Sequence, residues 1–200
     1  EEIARSALEA VIAIRPIERV RVYSRSADNR AAFVARMQPY VTAEIPAVET
    51  PEEVARGADL ICLATGSNVP VLKGAWLEPG QHVISIVASN KGVMAGAGLS
   101  RPRREFDDDV IRRADRVIAT LKEQAIQDEQ ADLFEPVAAG LISWDQIGDL
   151  GELVAGHVPG RTSADEITVF KQNSDQGVGF MALAGLAYDK AVAAGIGVEI

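Results

Sequence analysis

The stretch EIARSALEAVIAIRPIERVRVYSR, residues 2–25, decides the fold. Ile3, Ala7, Leu8, Ala10, Val11 and Ile14 recur at helical spacing, so the segment opens as an amphipathic helix, which Pro16 ends. Val20, Val22 and Tyr23 then build a short strand. A helix feeding such a strand is the second half of the unit that begins a doubly wound α/β sheet, where the tip of the second strand meets the ribose of an adenine dinucleotide. A carboxylate at that tip accepts hydrogen bonds from a free 2′-hydroxyl, whereas arginine suits a 2′-phosphate. The tip here is Ser24-Arg25-Ser26, with Arg30 about one turn later and no acid. These four residues are candidate cofactor-binding groups; they favour NADP(H), with NAD(H) possible. The strand and G-x-G loop expected ahead of the helix are missing from the sequence, which opens at Glu1-Glu2.

Outward from this stretch the pattern repeats. Ala27 to Gln38 is expected as a helix and Val41 to Ile45 as a short strand. Thr50-Pro51-Glu52-Glu53 is a helix start, with Thr50 as cap, Pro51 in the first turn and Glu53 completing a capping box; Gly57 ends that helix. Asp59 to Ala64 and His82 to Val87 are apolar strands of the kind buried on both faces. Asp107 to Arg113 is a short helix, Asp115 to Ile118 a strand, and Thr120 to Glu123 opens a further helix with a second capping box. Asp149 to Glu152 caps another, Ile167 to Phe170 is a last strand, and Gly177 to Ala194 is a long helix rich in Ala and Gly, expected to pack closely on a neighbour. Strands alternating with helices imply a parallel sheet covered on both faces, a doubly wound, Rossmann-like α/β fold.

Composition narrows the function classes. The 200 residues carry a net charge of −9, which argues against a nucleic-acid or anionic-membrane surface. No apolar run approaches the roughly 20 residues needed to span a bilayer. Cys62, the one cysteine, sits in LICLA and is expected to be a buried strand thiol, which excludes disulfides and cysteine-metal sites and fits a reducing cytoplasm.

Several positions could carry chemistry. Ala64-Thr65-Gly66-Ser67 follows a buried strand at the end where open α/β sheets bind ligands, so its N–H groups and hydroxyls could hold a cofactor phosphate or ribose. Polar turns after strands are common, and the motif alone is weak. Val87 and Ala88, closing the next strand, are a similar case. Lys171, directly after ITVF, is by position alone a solvated strand end. His82 and His157 have no partners at metal-ligand spacing and are expected to be structural. Asp107-Asp108-Asp109 stands at a helix N-terminus, where a capping role suffices.

Taken together, IARSALEA–IRPIERVRVYSR (3–25), ADLICLATGSNVPVL (58–72), WLEPGQHVISIVAS (76–89), REFDDDVIRRAD (104–115), KEQAIQDEQADL (122–133) and DLGELVAGHVPGRTSADEITVFK (149–171) resemble the ornithine cyclodeaminase/mu-crystallin family in order and spacing. The resemblance implies a dinucleotide-binding domain over 1–120 that lacks its first strand. It implies last strands and C-terminal helices over 121–200, which pack on that core and on an absent N-terminal substrate and dimerisation domain. It assigns Ser24, Arg25 and Ser26 to an NADP-type signature, Thr65 and Ser67 to a cofactor-contacting T-x-S turn, and Lys171 to the strand end beside the nicotinamide. Val87 stands where the family usually has Gly, and Phe180 near a usual acid. Cyclodeaminases and alanine dehydrogenases of the family carry Asp at the place of Lys171; ketimine-reducing members carry Lys. A charged lysine has no lone pair with which to accept a proton. The resemblance therefore implies an NADP(H)-dependent reductase of a cyclic ketimine or imino acid, cytoplasmic and homodimeric, with Lys171 as a point charge or proton donor. Two readings stand beside it: a deaminating lyase or amino-acid dehydrogenase, and a non-catalytic NADPH-binding, crystallin-like protein.

Overall fold

The computed structural model describes residues 2–86, 92, 96, 98, 102–173 and 178–198. The first helix, α1 (Glu2–Ile14), is followed by an extended segment and α2 (Ala27–Met37), which Ser26 caps by accepting the Asn29 N–H. Next come α3 (Pro51–Ala55), β1 (Leu60–Leu63), β2 (His82–Ser85), α4 (Asp108–Arg113) and β3 (Arg116–Ala119). The C-terminal part holds α5 (Lys122–Gln127), α6 (Ala131–Ala138), β4 (Ile147–Asp149), α7 (Leu150–Val154), β5 (Thr168–Lys171) and α8 (Val178–Ala193). All five strands are parallel, in the order β1-β2-β5-β3-β4. The last strand in sequence thus enters the middle of the sheet.

Side chains alternate across the sheet. Ile61, Leu63, Val83, Val117 and Val169 point to an inner face, filled by Phe106, Val110, Ile111 and Leu133. The outer face is the weaker one. Ile84, Ile118 and Phe170 are half-buried there and Cys62 is exposed, so neither the expected buried thiol nor the equal cover of both faces is found. A second apolar cluster joins Phe33 and Met37 of α2 to Val41, Ala43 and Ile45, with Leu8 of α1 against it.

Other local expectations need correction. The strands around Val20 and Val41 reduce to a two-bridge parallel ribbon, Arg19 with Glu44 and Val22 with Ala47, outside the five-stranded sheet. Thr120 does not cap α5: its buried hydroxyl lacks a partner among the described residues, and the Lys122 N–H is taken instead by Asp149 at the end of β4. A residue three positions from a glutamate lost to a carboxylate delivered by the neighbouring strand. Thr50 caps α3 as expected, but its box is incomplete, since the Glu53 carboxylate accepts the Thr50 hydroxyl; Asp149 caps α7 as expected, with a full box to Glu152. Met181 to Lys190 of the long C-terminal helix are all exposed, so the expected close packing of this stretch is not found among the described residues.

Candidate functional site

Because every strand runs the same way, their C-terminal ends form one edge, where open α/β sheets bind ligands. Thr65, Ile86 and Gln172 leave β1, β2 and β5 along it. The N-terminus of α1 reaches the same edge. A cleft of about 450 Å3 opens between Glu2, Ile3 and Ala7 of α1 and Ile86, Phe170 and Gln172. Its walls are mostly apolar, and the helix end adds backbone N–H donors.

The turn after β1 is built from its own hydroxyls. Thr65 Oγ1 accepts the Ser67 N–H at 3.0 Å, and the Ser67 hydroxyl donates to the Val69 carbonyl at 2.7 Å. Ala64 is half-buried; Gly66 faces open space. The Thr65 hydroxyl has no acceptor for its own proton among the described residues, which leaves it a donor for a ligand.

The four residues expected at the adenosine end separate. Arg25 is exposed, with no ion pair or hydrogen bond to another described residue. Ser24 and Ser26 are half-buried, and Ser26 Oγ is already the α2 cap. Arg30 is buried, donating to the Ser24 carbonyl at 2.7 Å and to Glu49 at 2.8 Å. Its guanidinium fastens the ribbon tip to α2, so it braces the Arg25 loop where the sequence had it meeting the phosphate.

Lys171 differs most from its expectation. It is wholly buried, not a solvated strand end, and its Nζ lies 2.7 Å from Asp132 and 2.9 Å from Ser85. Asp132, Ser85 and Glu105 are buried with it. Sequence reasoning missed these three: Glu105 lay just ahead of the Asp107-Asp108-Asp109 run that was assigned to helix capping, and Asp132 was given no role. The only cue was their polarity beside Phe106 and Leu133 of the core. Val87 and Ala88 lie outside the described residues, as does the side chain of Phe180.

The remaining titratable candidates are structural. Asp107 caps α4 at Val110 and also accepts the Gly74 N–H at 2.9 Å. His82 Nδ1 is 2.7 Å from Thr168 Oγ1; burial first, then the Arg161 charge, holds its pKa below the usual value, while His157 is exposed. Among the described residues no group of three His, Cys, Asp or Glu could hold a metal, and no helix is long and apolar enough to cross a membrane.

A parallel sheet with a helix N-terminus and an apolar cleft at its C-terminal edge defines a Rossmann-like α/β protein. The chain belongs to the ornithine cyclodeaminase/mu-crystallin family, whose model matches residues 2–194. It is 31% identical over 201 residues to a delta(1)-pyrroline-2-carboxylate reductase of Bacillus cereus, covering all of this chain and 58% of that protein. Its structure is similar to delta(1)-pyrroline-2-carboxylate reductase of Thermococcus litoralis in complex with NADH and L-proline: TM-score 0.86, 30% identity, over 98% of this chain and 57% of that one. It is also similar to an archaeal alanine dehydrogenase dimer with bound NAD: TM-score 0.81, 26% identity, over 98% and 57%. The chain spans little more than half the length of these relatives.

The residues present fit a nicotinamide dinucleotide. An apolar cleft suits a ring, a helix N-terminus suits a pyrophosphate, and Arg25, exposed and unpaired among the described residues, stands at the ribbon tip.

Proposed function

We propose that the protein is a nicotinamide-dependent reductase of a cyclic ketimine or imino acid, forming an amino acid, and that it prefers NADP(H) to NAD(H). The observation that carries the reaction class is the residue at the end of β5. Lys171 is ion-paired with Asp132 in a dry cluster that already holds Glu105. At the position itself a lysine, held by Asp132, stands in place of the aspartate that deaminating members of the family carry. The relatives named for pyrroline-2-carboxylate reduction support the same class.

When bound, the reduced nicotinamide supplies the hydride. The chain's own residues hold and orient the dinucleotide. The α1 N-terminus faces the pyrophosphate, the Thr65 hydroxyl and the Gly66 backbone face a ribose or phosphate, and Arg25 meets the 2′-phosphate. Ile86 and Phe170 cover the ring and exclude water. For partners we propose a small imino-acid or amino-acid substrate and a second copy of the chain, the latter supported by the exposed apolar α8 and by the dimeric alanine dehydrogenase. The test offers NADPH or NADH to the intact protein with a panel of cyclic ketimines and α-imino acids, following the absorbance of the reduced nicotinamide. Stoichiometric loss of that absorbance with amino-acid formation is expected. Ammonia released without net cofactor consumption identifies a cyclodeaminase instead. Tight NADPH binding with no turnover on any imine identifies a binding protein.

A further inference from the structure

A buried polar network lies under the cofactor edge, on the face of the sheet away from the cleft. Glu105, Asp132, Ser85 and Lys171 have no solvent exposure. One Glu105 oxygen accepts the Thr65 N–H at 2.7 Å; the other accepts the Ile86 N–H at 2.9 Å and the Ser85 hydroxyl at 2.8 Å. Asp132 Oδ1 accepts the N–H of Glu105 itself at 3.0 Å, and Oδ2 accepts Lys171 Nζ at 2.7 Å. Lys171 also donates to Ser85 Oγ at 2.9 Å. Thr65, Ile86 and Lys171 are the exits of β1, β2 and β5, three neighbours in the sheet. One carboxylate therefore grips two exits, and through Ser85 and Asp132 it is joined to the third.

Side-chain alternation fixes which way Lys171 acts. Phe170 lines the cleft, so Lys171, the next residue, points to the opposite face. There its ammonium meets the Asp132 carboxylate and the Ser85 hydroxyl. Buried ion pairs seldom add net stability over a well-packed apolar core, but removing one partner leaves an uncompensated charge. What a satisfied buried network secures is geometry.

We infer that Glu105 is the hub of a positioning network that sets the Thr65 turn and the Ile86 exit for the cofactor. In it Lys171 serves as counter-ion to the Glu105–Asp132 pair, with no proton transfer to substrate. The inference rests on the reading of this edge as the dinucleotide site. It also gives the residue at the end of β5 a structural partner: an aspartate there would bring a third carboxylate into a dry cluster, so its identity is tied to Glu105 and Asp132.

Three variants of the intact protein test it: Glu105→Gln, Lys171→Met, and Lys171→Met combined with Asp132→Asn. Dinucleotide affinity is read by fluorescence titration with NADH and NADPH. Protection of the Thr65 and Ile86 amides is read by hydrogen exchange, and kcat against pH with the preferred imine. Glu105→Gln keeps the shape but turns one acceptor into a donor facing a backbone N–H or hydroxyl. It is expected to lose about tenfold in affinity for both dinucleotides, with exchange at Thr65 or Ile86 accelerated. Lys171→Met is expected to lose affinity likewise, and the double variant, which restores the wild-type net charge of the cluster with Glu105 as its remaining carboxylate, to recover it together with the wild-type pH profile of kcat. Wild-type affinity in Glu105→Gln or in Lys171→Met overturns the inference alone. So does a Lys171→Met defect confined to kcat and its pH profile that the double variant fails to rescue, since that is the behaviour of a proton donor. Wild-type protein that binds neither dinucleotide overturns the site reading and the inference together.

Discussion

Arg25 and Arg30 stand about one helical turn apart, yet they have different work. Arg30 is consumed by the Ser24 carbonyl and Glu49, whereas Arg25 is exposed and unpaired among the described residues. A planar guanidinium meets a phosphate through a bidentate fork, and loss of such a charge-assisted pair costs on the order of 2 kcal/mol, roughly thirtyfold in affinity. Arg25→Asp in the intact protein is therefore expected to weaken NADPH about thirtyfold and NADH far less, measured by parallel titrations. Equal weakening of both would remove Arg25 from the adenosine end. His82 gives a pH prediction. Its folded-state pKa is lowered by burial and by Arg161, so the unfolded chain takes up the proton more readily. Stability is full above the ordinary histidine value of about 6.5 and is lost as pH falls through it towards the lower folded value. Melting temperatures between about pH 8 and about pH 5 should fall in the wild type and flatten over that limb in His82→Gln. At this scale the sequence was legible where charge met a strand tip, as at Arg25. It was illegible where the partner came from far along the chain, since Glu49 holds Arg30 from 19 positions away and Asp132 holds Lys171 from 39, and no local pattern marks them.

Helices and buried strands were the legible elements because period and punctuation act locally. Thr50, Ser26 and Asp107 each cap the helix that the sequence places after them, and the apolar runs around Ile61, Val83 and Val169 became the sheet. The failures have tertiary causes. The strand around Val20 is shortened because it pairs with residues 44–47 and not with the main sheet. The α5 start was placed but given the wrong cap, because its cap arrives from β4. Asp149 accepts the Lys122 N–H and also forms the box that opens α7 with Glu152, so one carboxylate finishes two helices. A cap is worth about 1 kcal/mol, and a doubled one about 2. Asp149→Ala is expected to lower the melting temperature by roughly 4–8 °C, given about 2–4 °C per kcal/mol for a chain of this size. Asp149→Asn, which keeps an acceptor oxygen, should recover at least half. An Asp149→Ala protein that melts with the wild type would show that neither helix depends on this carboxylate.

The molecule as a whole is one-sided. Its inner sheet face is sealed, its outer face is covered in part by α1, and α8 carries Met181, Leu183, Leu186 and Tyr188 into solvent at 52–72% exposure. A helix apolar all round is ordinarily a buried helix. Contiguous apolar surface of this kind marks an interface. With a net charge of −9 on each chain, two copies repel at long range, so what joins them has to be apolar contact. Leu183 and Leu186 lie three positions apart and share a face of α8. Burying each contributes about 1.5–3 kcal/mol, so replacing both with Asp should raise the dissociation constant of the proposed dimer at least about a hundredfold. Sedimentation of the intact protein should show a dimer for the wild type and a monomer for Leu183→Asp/Leu186→Asp at the same concentration, with the sheet's far-ultraviolet dichroism retained. Salt separates this mechanism from an ionic one: screening weakens the repulsion between like-charged chains, so the wild-type dimer should tighten as ionic strength rises. A dimer that loosens in salt, or one that survives both aspartates, would place the interface elsewhere on the molecule.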